Sequence, residues 1–309
     1  MAREKVKGES SSKVLSLNIR GFAAEGKFGW VKGICVKERP SIAAFQETKC
    51  RSLNDGWVEA QWGNSEFGFV QKEAIGSAGV RVTTDTTSFE VSNAMGGDYF
   101  LAIRGIWRNS GNESIIVNVY GPHNDADKKV FLHSLGGLVS SYEGAWLLCG
   151  DFNEVREDED ILNCVFSQAR ANRFNEFIEK NNLIEIPLNG KKFTRVSDDG
   201  SKFSKIDRFF VTDSFIQLWE DLSIISLERF LSDHSPLLLR DKVIDYGPKP
   251  FKVFDEWFNR EGMDKIIEEA WEDEVKGRRL DCNFRDRLKN VKFALKNGVR
   301  TRLGVLTRN

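Results

Sequence analysis

Eight polar side chains in this chain of 309 residues stand where short apolar runs stop. Asn18 closes the run 14-VLSLN-18, and Glu47 follows 42-IAAFQ-46. Tyr120 closes 115-IIVNVY-120, and Asp151 and Asn153 follow 145-AWLLC-149 in the phrase GDFN. Asp207 lies in 205-KIDRF-209, and Asp233 and His234, with Ser232 ahead of them, precede 236-PLLL-239. Singly, each has an ordinary explanation, because Asp, Asn and Gly are the residues that stop strands and form turns. Together they make two amides, four carboxylates, a phenol and an imidazole, and the ends of strands from two packed sheets can converge on one rim. That set suits metal-assisted cleavage of a phosphodiester. Glu47, Asp207 and Asp233 offer the oxygen ligands that a hard divalent cation requires, and such a cation neutralises phosphate charge and stabilises a leaving oxygen. Asp151 or His234 could serve the attacking water as base, while Asn153, His234 and Tyr120 could donate to the phosphate oxygens.

Composition narrows the chemistry further. Only three histidines occur, and the five cysteines form no CxxC pair. A zinc site built from Cys and His is therefore not expected, and neither is a disulfide framework. A reducing compartment, nucleus or cytoplasm, fits this cysteine usage. The polar start MAREKVKGESSSK has no apolar core of the kind a secretory signal needs, and no run of about 18 apolar residues exists that could span a membrane. Net charge is -1, yet from Lys276 onward eleven bases face two acids, a net of +9. This basic tail fits either a nucleic-acid partner or a solvated helix face.

The elements that must position these residues follow from periodicity. Residues 13–240 read as many short strands with few helices: strands at 14–19, 42–45, 67–70, 79–83, 99–107, 115–120, 145–149, 193–196, 206–211 and 236–239. Helices are expected at 28–38, at 126–142 with Val130, Leu135 and Leu138 as its apolar face, and at 169–182 burying Phe174, Phe177 and Ile178. The acidic stretch 154-EVREDED-160 reads as a solvated charge run, His133 as a surface residue, and Trp57, Trp62, Trp107, Trp146 and Trp219 as core. Without steady βαβ alternation, the pattern predicts a four-layer α/β sandwich, two mainly antiparallel sheets face to face with helices outside. Residues 1–12 read as a disordered arm, 241–260 as a linker and 261–309 as a helical basic tail.

The motifs in order resemble those of a known family. Asn18 in LNIRG, Glu47 in QETK, Tyr120 in YGP, Asp151 and Asn153 in GDFN, Asp207 in KIDRF and Asp233-His234 in SDHSP are similar to the motif set of the endonuclease/exonuclease/phosphatase superfamily. That superfamily, with its DNase I-like fold, includes DNase I and the apurinic/apyrimidinic endonucleases. GDFNEVR, FNEFIEKNNLIEIPL, GKKFTRV, FSKIDRFFV and LSDHSPLLL resemble more narrowly the endonuclease domain of plant LINE-type non-LTR retrotransposons. GPKPFKVFDEWF looks like the segment that follows that domain, and no YxDD polymerase signature is present. The resemblance thus implies a reverse transcriptase domain missing from this chain.

It also implies roles. Glu47 would be the principal Mg2+ ligand, Mn2+ substituting, with Asn18 beside it and Asp233 near the metal. Asp151 would position or deprotonate water, Asn153 would hold the phosphate and Asp151, and Tyr120 would donate to a phosphate oxygen. His234, supported by Asp207, would contact the scissile phosphate. Thr194 and Ser204 match positions that touch DNA or support the site, and Ser232 a small support residue. His123 stands in YGPH where many relatives have Asn, and Arg20 stands where apurinic endonucleases carry Asp. The expected activity is nicking of one DNA strand for target-primed reverse transcription. A silent relic that binds nucleic acid, or an RNA nuclease or phosphatase of the same fold, are the alternatives.

Overall fold

The computed structural model describes residues 12–50, 54–73, 79–219, 222–240, 262–272, 284 and 287–295. The chain divides into two units, Met1–Val243 and Ile244–Asn309. Most of the expected arm at 1–12 and the expected linker at 241–260 lie outside the described residues.

Alternation along the central strands builds the first unit. In β1 (Lys13–Asn18) and β2 (Ile42–Gln46), Val14, Ile42 and Ala44 turn to one face, while Leu15, Leu17, Ala43 and Phe45 turn to the other. In β8 (Trp146–Asp151), Leu147 and Cys149 join the first cluster, and Trp146 and Leu148 face away. Strands apolar on both faces must be covered on both. The inner faces pack on each other through Val14, Ile42, Ile103, Ile116, Leu147 and Phe209. One outer face is covered by α1 (Lys27–Glu38) and α2 (Asp55–Trp62), the other by α3 (Asp125–Ser141) and α4 (Gln168–Lys180). The result is the expected four-layer sandwich.

The first sheet has seven strands. Its order is β11 (Leu188–Asn189), β15 (Ser223–Ser226), β16 (Leu237–Arg240), β1, β2, β4 (Val80–Asp85) and β3 (Phe67–Lys72). The second has six: β10 (Ile184–Glu185), β14 (Asp207–Val211), β8, β7 (Glu113–Tyr120), β6 (Phe100–Trp107) and β5 (Phe89–Gly97). A smaller sheet joins β12 (Arg195–Val196), β13 (Phe203–Ser204) and β9 (Ile161–Leu162). A short α5 (Asp213–Leu218) follows β14. Most pairings are antiparallel. The parallel ones that matter here are β1–β2, whose crossover is α1, and β7–β8, whose crossover is α3.

These pairings gather the strand ends. Parallel β1 and β2 both finish at one rim, as do parallel β7 and β8, with Tyr120 opposite Asp151. β14 runs antiparallel to β8, so its first residue, Asp207, also lies opposite Asp151. β16 runs antiparallel to β1, so residues 232–234 enter at the same edge.

Three expectations change. The helix α2 lies in a stretch read as strand-rich; Asn54 caps it by accepting from the Trp57 amide, and Gly63 ends it in a left-handed conformation. β5 forms where no strand is expected, because a bulge at Val91/Asn93 breaks its alternation. In α3 the buried face is Phe131, Leu132, Leu135 and Val139, whereas Val130 is 61% exposed.

Gly150 lets β7 and β8 approach: its φ is +136°, and an added Cβ would lie 2.0 Å from the Val119 carbonyl oxygen. Gly150→Ala is therefore expected to lower stability by more than about 1 kcal/mol, read as a fall in the urea midpoint. An unchanged midpoint would show that β7 and β8 can separate freely.

In the second unit, α6 (Met263–Glu272) is followed by helix at 287–295, and Met263 and Leu295 are buried against Ile267 and Val291. The rest of the expected basic tail lies outside the described residues. Among the described residues no helix is long and apolar enough to cross a membrane.

Candidate active site

The convergent rim holds a compact set of buried polar groups. His234 Nδ1 lies 2.8 and 2.9 Å from the two oxygens of Asp207. His234 Nε2, on the other side of the ring, faces Asp151 Oδ2 at 3.8 Å and Asp233 Oδ1 at 3.9 Å. Asp151 is held by two further contacts: Asn18 Nδ2 donates to its Oδ2 at 2.9 Å, and the Asn153 amide donates to its Oδ1 at 2.9 Å. Asp151, Asp207, Asp233 and His234 are all buried.

Burial and charge set the protonation states. Burial pushes the Asp151 carboxyl up to about 6; His234 opposes this and Asp207 adds to it. Burial also works against the His234 imidazolium, but the charge and hydrogen bond of Asp207, then Asp151 and Asp233, outweigh it and carry its pKa up to about 9. Near neutral pH the histidine is a cation whose Nδ1–H is committed to Asp207, leaving Nε2–H as a donor aimed between two carboxylates. Among the described residues, the group able to share a cation is Asp151, Asp207 and His234, with ligand atoms within 4.8 Å. Its Asp207–His234 half is already a hydrogen-bonded pair. A hard cation is better served by oxygens: Asp233 Oδ1 is buried with no hydrogen-bond partner, and the Glu47 carboxylate faces Lys49 Nζ at 2.9 Å.

Backbone conformation places several of these groups. Arg20, Glu47 and Asn153 all adopt left-handed φ, at 53°, 52° and 51°. Asn tolerates that region; Arg and Glu adopt it at a cost that surrounding structure must hold. The Gly21 amide donates to the Glu47 carbonyl at 2.6 Å and the Phe22 amide to the Thr48 carbonyl at 3.1 Å, tying the loop after Asn18 to the loop carrying Glu47. Asn153 Nδ2 donates to the Gly121 carbonyl at 2.7 Å, which joins the YGP and GDFN motifs.

The remaining expected residues divide into supports and rim. Thr194 is fully buried, and its hydroxyl accepts from the Ile206 and Asp207 amides at 3.2 and 3.1 Å, so it steadies Asp207 and presents no surface to a substrate. The Ser204 carbonyl accepts from the Thr194 amide. Ser232 donates to the Asn18 carbonyl at 2.7 Å and accepts from the His234 amide, clasping the first strand end to the last. Tyr120 is buried with His123 edge-on to its ring at 6.3 Å. Partial burial lowers the His123 pKa, with Glu47 acting in the opposite direction.

Sequence reading overlooked several charged partners. Arg195 Nε donates to Asp233 Oδ2 at 3.0 Å, and Arg20 pairs through its two terminal guanidinium nitrogens with Asp198 at 2.6 and 3.0 Å. The acidic stretch at 154–160 is not simply solvated. Glu154 is fully buried 3.3 Å from Lys128 Nζ, which also donates to the Asn153 carbonyl at 2.5 Å. Asp160 is buried against Arg208. A cation that bonds the main chain of Asn153 helps hold it in its left-handed turn. The signal was present as a lysine on the inward face of α3, but only the fold pairs it with Glu154.

Comparison with known proteins agrees with this architecture. Residues 114–238 match the family model described as endonuclease-reverse transcriptase. No curated protein is significantly similar to the chain. Among solved structures, the endonuclease domain of TRAS1, a telomere-specific non-LTR retrotransposon, aligns with TM-score 0.57 and 14% identity over 75% of this chain and 98% of its own. An AP endonuclease from Archaeoglobus fulgidus aligns with TM-score 0.58 and 17% identity over 74% and 98%. The 3' phosphatase NExo from Neisseria, bound to a product DNA hairpin, also gives TM-score 0.58 and 17% identity over 74% and 98%.

Proposed function

We propose that this chain, which has a DNase I-like fold and matches the endonuclease-reverse transcriptase model over residues 114–238, is an endonuclease/exonuclease/phosphatase-type enzyme, a Mg2+-dependent DNA endonuclease nicking one strand. The family model, an endonuclease-reverse transcriptase, supports a role in priming reverse transcription of a LINE-type element. The observation that carries the reading is the Asp207–His234 pair, with its free ring nitrogen facing the gap between Asp151 and Asp233.

In this reading Asp207 fixes the imidazole so that Nε2–H donates to an oxygen of the scissile phosphate. Asp151, raised to about 6, is basic enough to take a proton from water near neutral pH and is held to its position by Asn18 and the Asn153 amide. The residues fit a hard cation, which Glu47 and Asn18 would hold with Asp233 nearby; when bound it neutralises phosphate charge and stabilises the leaving oxygen. Tyr120 at the end of β7, with His123 beside its ring, would donate to a phosphate oxygen in this reading.

Supercoiled plasmid incubated with the full chain tests this. Mg2+ should convert it to the open circle, EDTA should stop the conversion, and Glu47→Ala and His234→Ala should each abolish it. Undiminished nicking by both variants removes the assignment of the site. Single-stranded RNA and a phosphomonoester in parallel separate this activity from those of an RNA nuclease or a phosphatase.

A further inference from the structure

Next to the Asp207–His234 pair a cleft of about 520 Å3 opens between the 197–200 turn and the segment 229–233. Arg20 and Arg229 line it together with the acids Asp198 and Asp233, while a third cation, Lys27, is buried and donates to the Ile19 and Arg20 carbonyls. At its edge Phe230 is 72% exposed, while residues 232–235 immediately after it are buried. The ring does not hang loose: Trp30 meets it edge-on, with centroids 6.5 Å apart and planes at 67°. An exposed aromatic face beside arginines is an arrangement by which proteins hold unpaired nucleic acid, bases stacking on rings while cations follow the backbone.

We propose that Phe230 is a stacking platform for an unpaired nucleobase of the strand to be cut, with Arg20 and Arg229 receiving the phosphates on either side of it. The proposal rests on the nuclease reading and names its substrate class: DNA locally unpaired beside the cleavage point. Phe230 and His234 are four residues apart, so their Cα atoms lie at most about 14 Å apart. At about 3.4 Å per nucleotide, the stacked base sits within about four nucleotides of the phosphate at His234. A base inside a duplex has both faces covered by its neighbours and can offer one to Phe230 only after leaving the stack. Arg20 pairs with Asp198, an exposed acid at the tip of the 197–200 turn, and stands 3.6 Å from the buried Asp233 Oδ2; the Asp198 contact is the one a phosphate would replace. An exposed ion pair is exchanged for a phosphate at little cost.

The test uses the full chain in EDTA, so that nothing is cleaved. Its probes are a short single-stranded DNA, the matching duplex and a duplex with a small bulge, carrying 2-aminopurine at successive positions. Phe230→Ala should weaken binding of the single-stranded and bulged DNA roughly tenfold, leave the perfect duplex within about twofold, and remove the 2-aminopurine quenching seen with the wild type. Phe230→Trp should restore both affinity and quenching. The ring is exposed, so the alanine variant should melt with the wild type. Equal binding of all three DNAs by wild type and Phe230→Ala, or the same loss on all three, overturns the stacking site. Plasmid nicking is scored separately. A chain that shows the Phe230-dependent binding but never nicks retains the platform and loses the nuclease reading. A chain that nicks and is indifferent to Phe230→Ala does the reverse.

Discussion

Asp151→Asn is expected to lower Mg2+-dependent nicking by roughly 10²–10⁴-fold. The amide has the shape of the carboxylate but only one acceptor oxygen, so it keeps either the bond from the Asn18 side chain or the bond from the Asn153 amide and turns an N–H toward the other donor. It cannot take a proton from water. The pH dependence of stability should change too, because Asp151 titrates near 6 in the fold and at 3.8 ordinarily. A raised acid pKa means that the folded protein holds this proton more tightly than the unfolded chain. Ionisation therefore costs the wild type stability as pH rises from about 4 to about 6; the amide variant loses one hydrogen bond at every pH but escapes this cost, so its Tm should gain on the wild type across that range. Nicking rates on supercoiled plasmid together with calorimetric Tm values decide the matter. A variant that nicks within tenfold of the wild type would take the role of base away from Asp151.

The second large effect is expected from Asp207→Asn and shows itself in its pH dependence. His234 has a pKa near 9 in the fold against an ordinary 6.5, and Asp207 is the largest of the favourable causes. A raised histidine pKa contributes stability that is fully present below pH 6.5 and is lost as pH rises through about 9. Removing Asp207 should bring the imidazole to its ordinary value or below it, because burial then acts with less opposition. The stability gap between wild type and variant should therefore be widest below pH 6.5, on the order of 3 kcal/mol, and should close as pH rises through 9. Urea unfolding at intervals across that range measures it, and NMR titration of the His234 ring gives the pKa directly. Parallel stability curves would show that Asp207 orients the ring without holding its charge. Nicking should fall as well, since the neutral imidazole no longer has its Nδ1–H fixed toward a carboxylate.

Much of this site was legible along the chain because the fold puts each motif at a strand end. Parallel pairs finish together and antiparallel partners begin where they finish, so short apolar runs ending in Asn18, Glu47, Tyr120 and Asp151 mark one edge in space. The double-sided core was legible for the same reason, since strands without a polar face need cover on both. The GDFN turn was half-readable. Asn153 does lie in a turn, but its left-handed backbone, and not strand alternation, sets its direction. Helix α2 was not readable because two tryptophans with a glycine and an asparagine nearby satisfy strand and turn rules as well as helical ones. The buried charges were illegible for a different reason. Glu154 and Asp160 look solvated in a row of acids, and their partners Lys128 and Arg208 stand 26 and 48 residues away. Pairing at that separation belongs to tertiary structure, and burial of a charge follows from its partner more than from its neighbours in the chain.

The clasp of Ser232 on the Asn18 carbonyl bears on how the protein is made. A growing chain emerges with its N-terminal residues first, and Asn18, Glu47, Tyr120 and Asp151 leave the ribosome well before Asp207, Asp233 and His234. Until the strand Leu237–Arg240 arrives to pair with Lys13–Ser16, the first strand lacks this neighbour and the rim lacks its imidazole. On the proposed nuclease reading, a nascent chain caught at any earlier length would lack the assembled site, which is completed only with this strand.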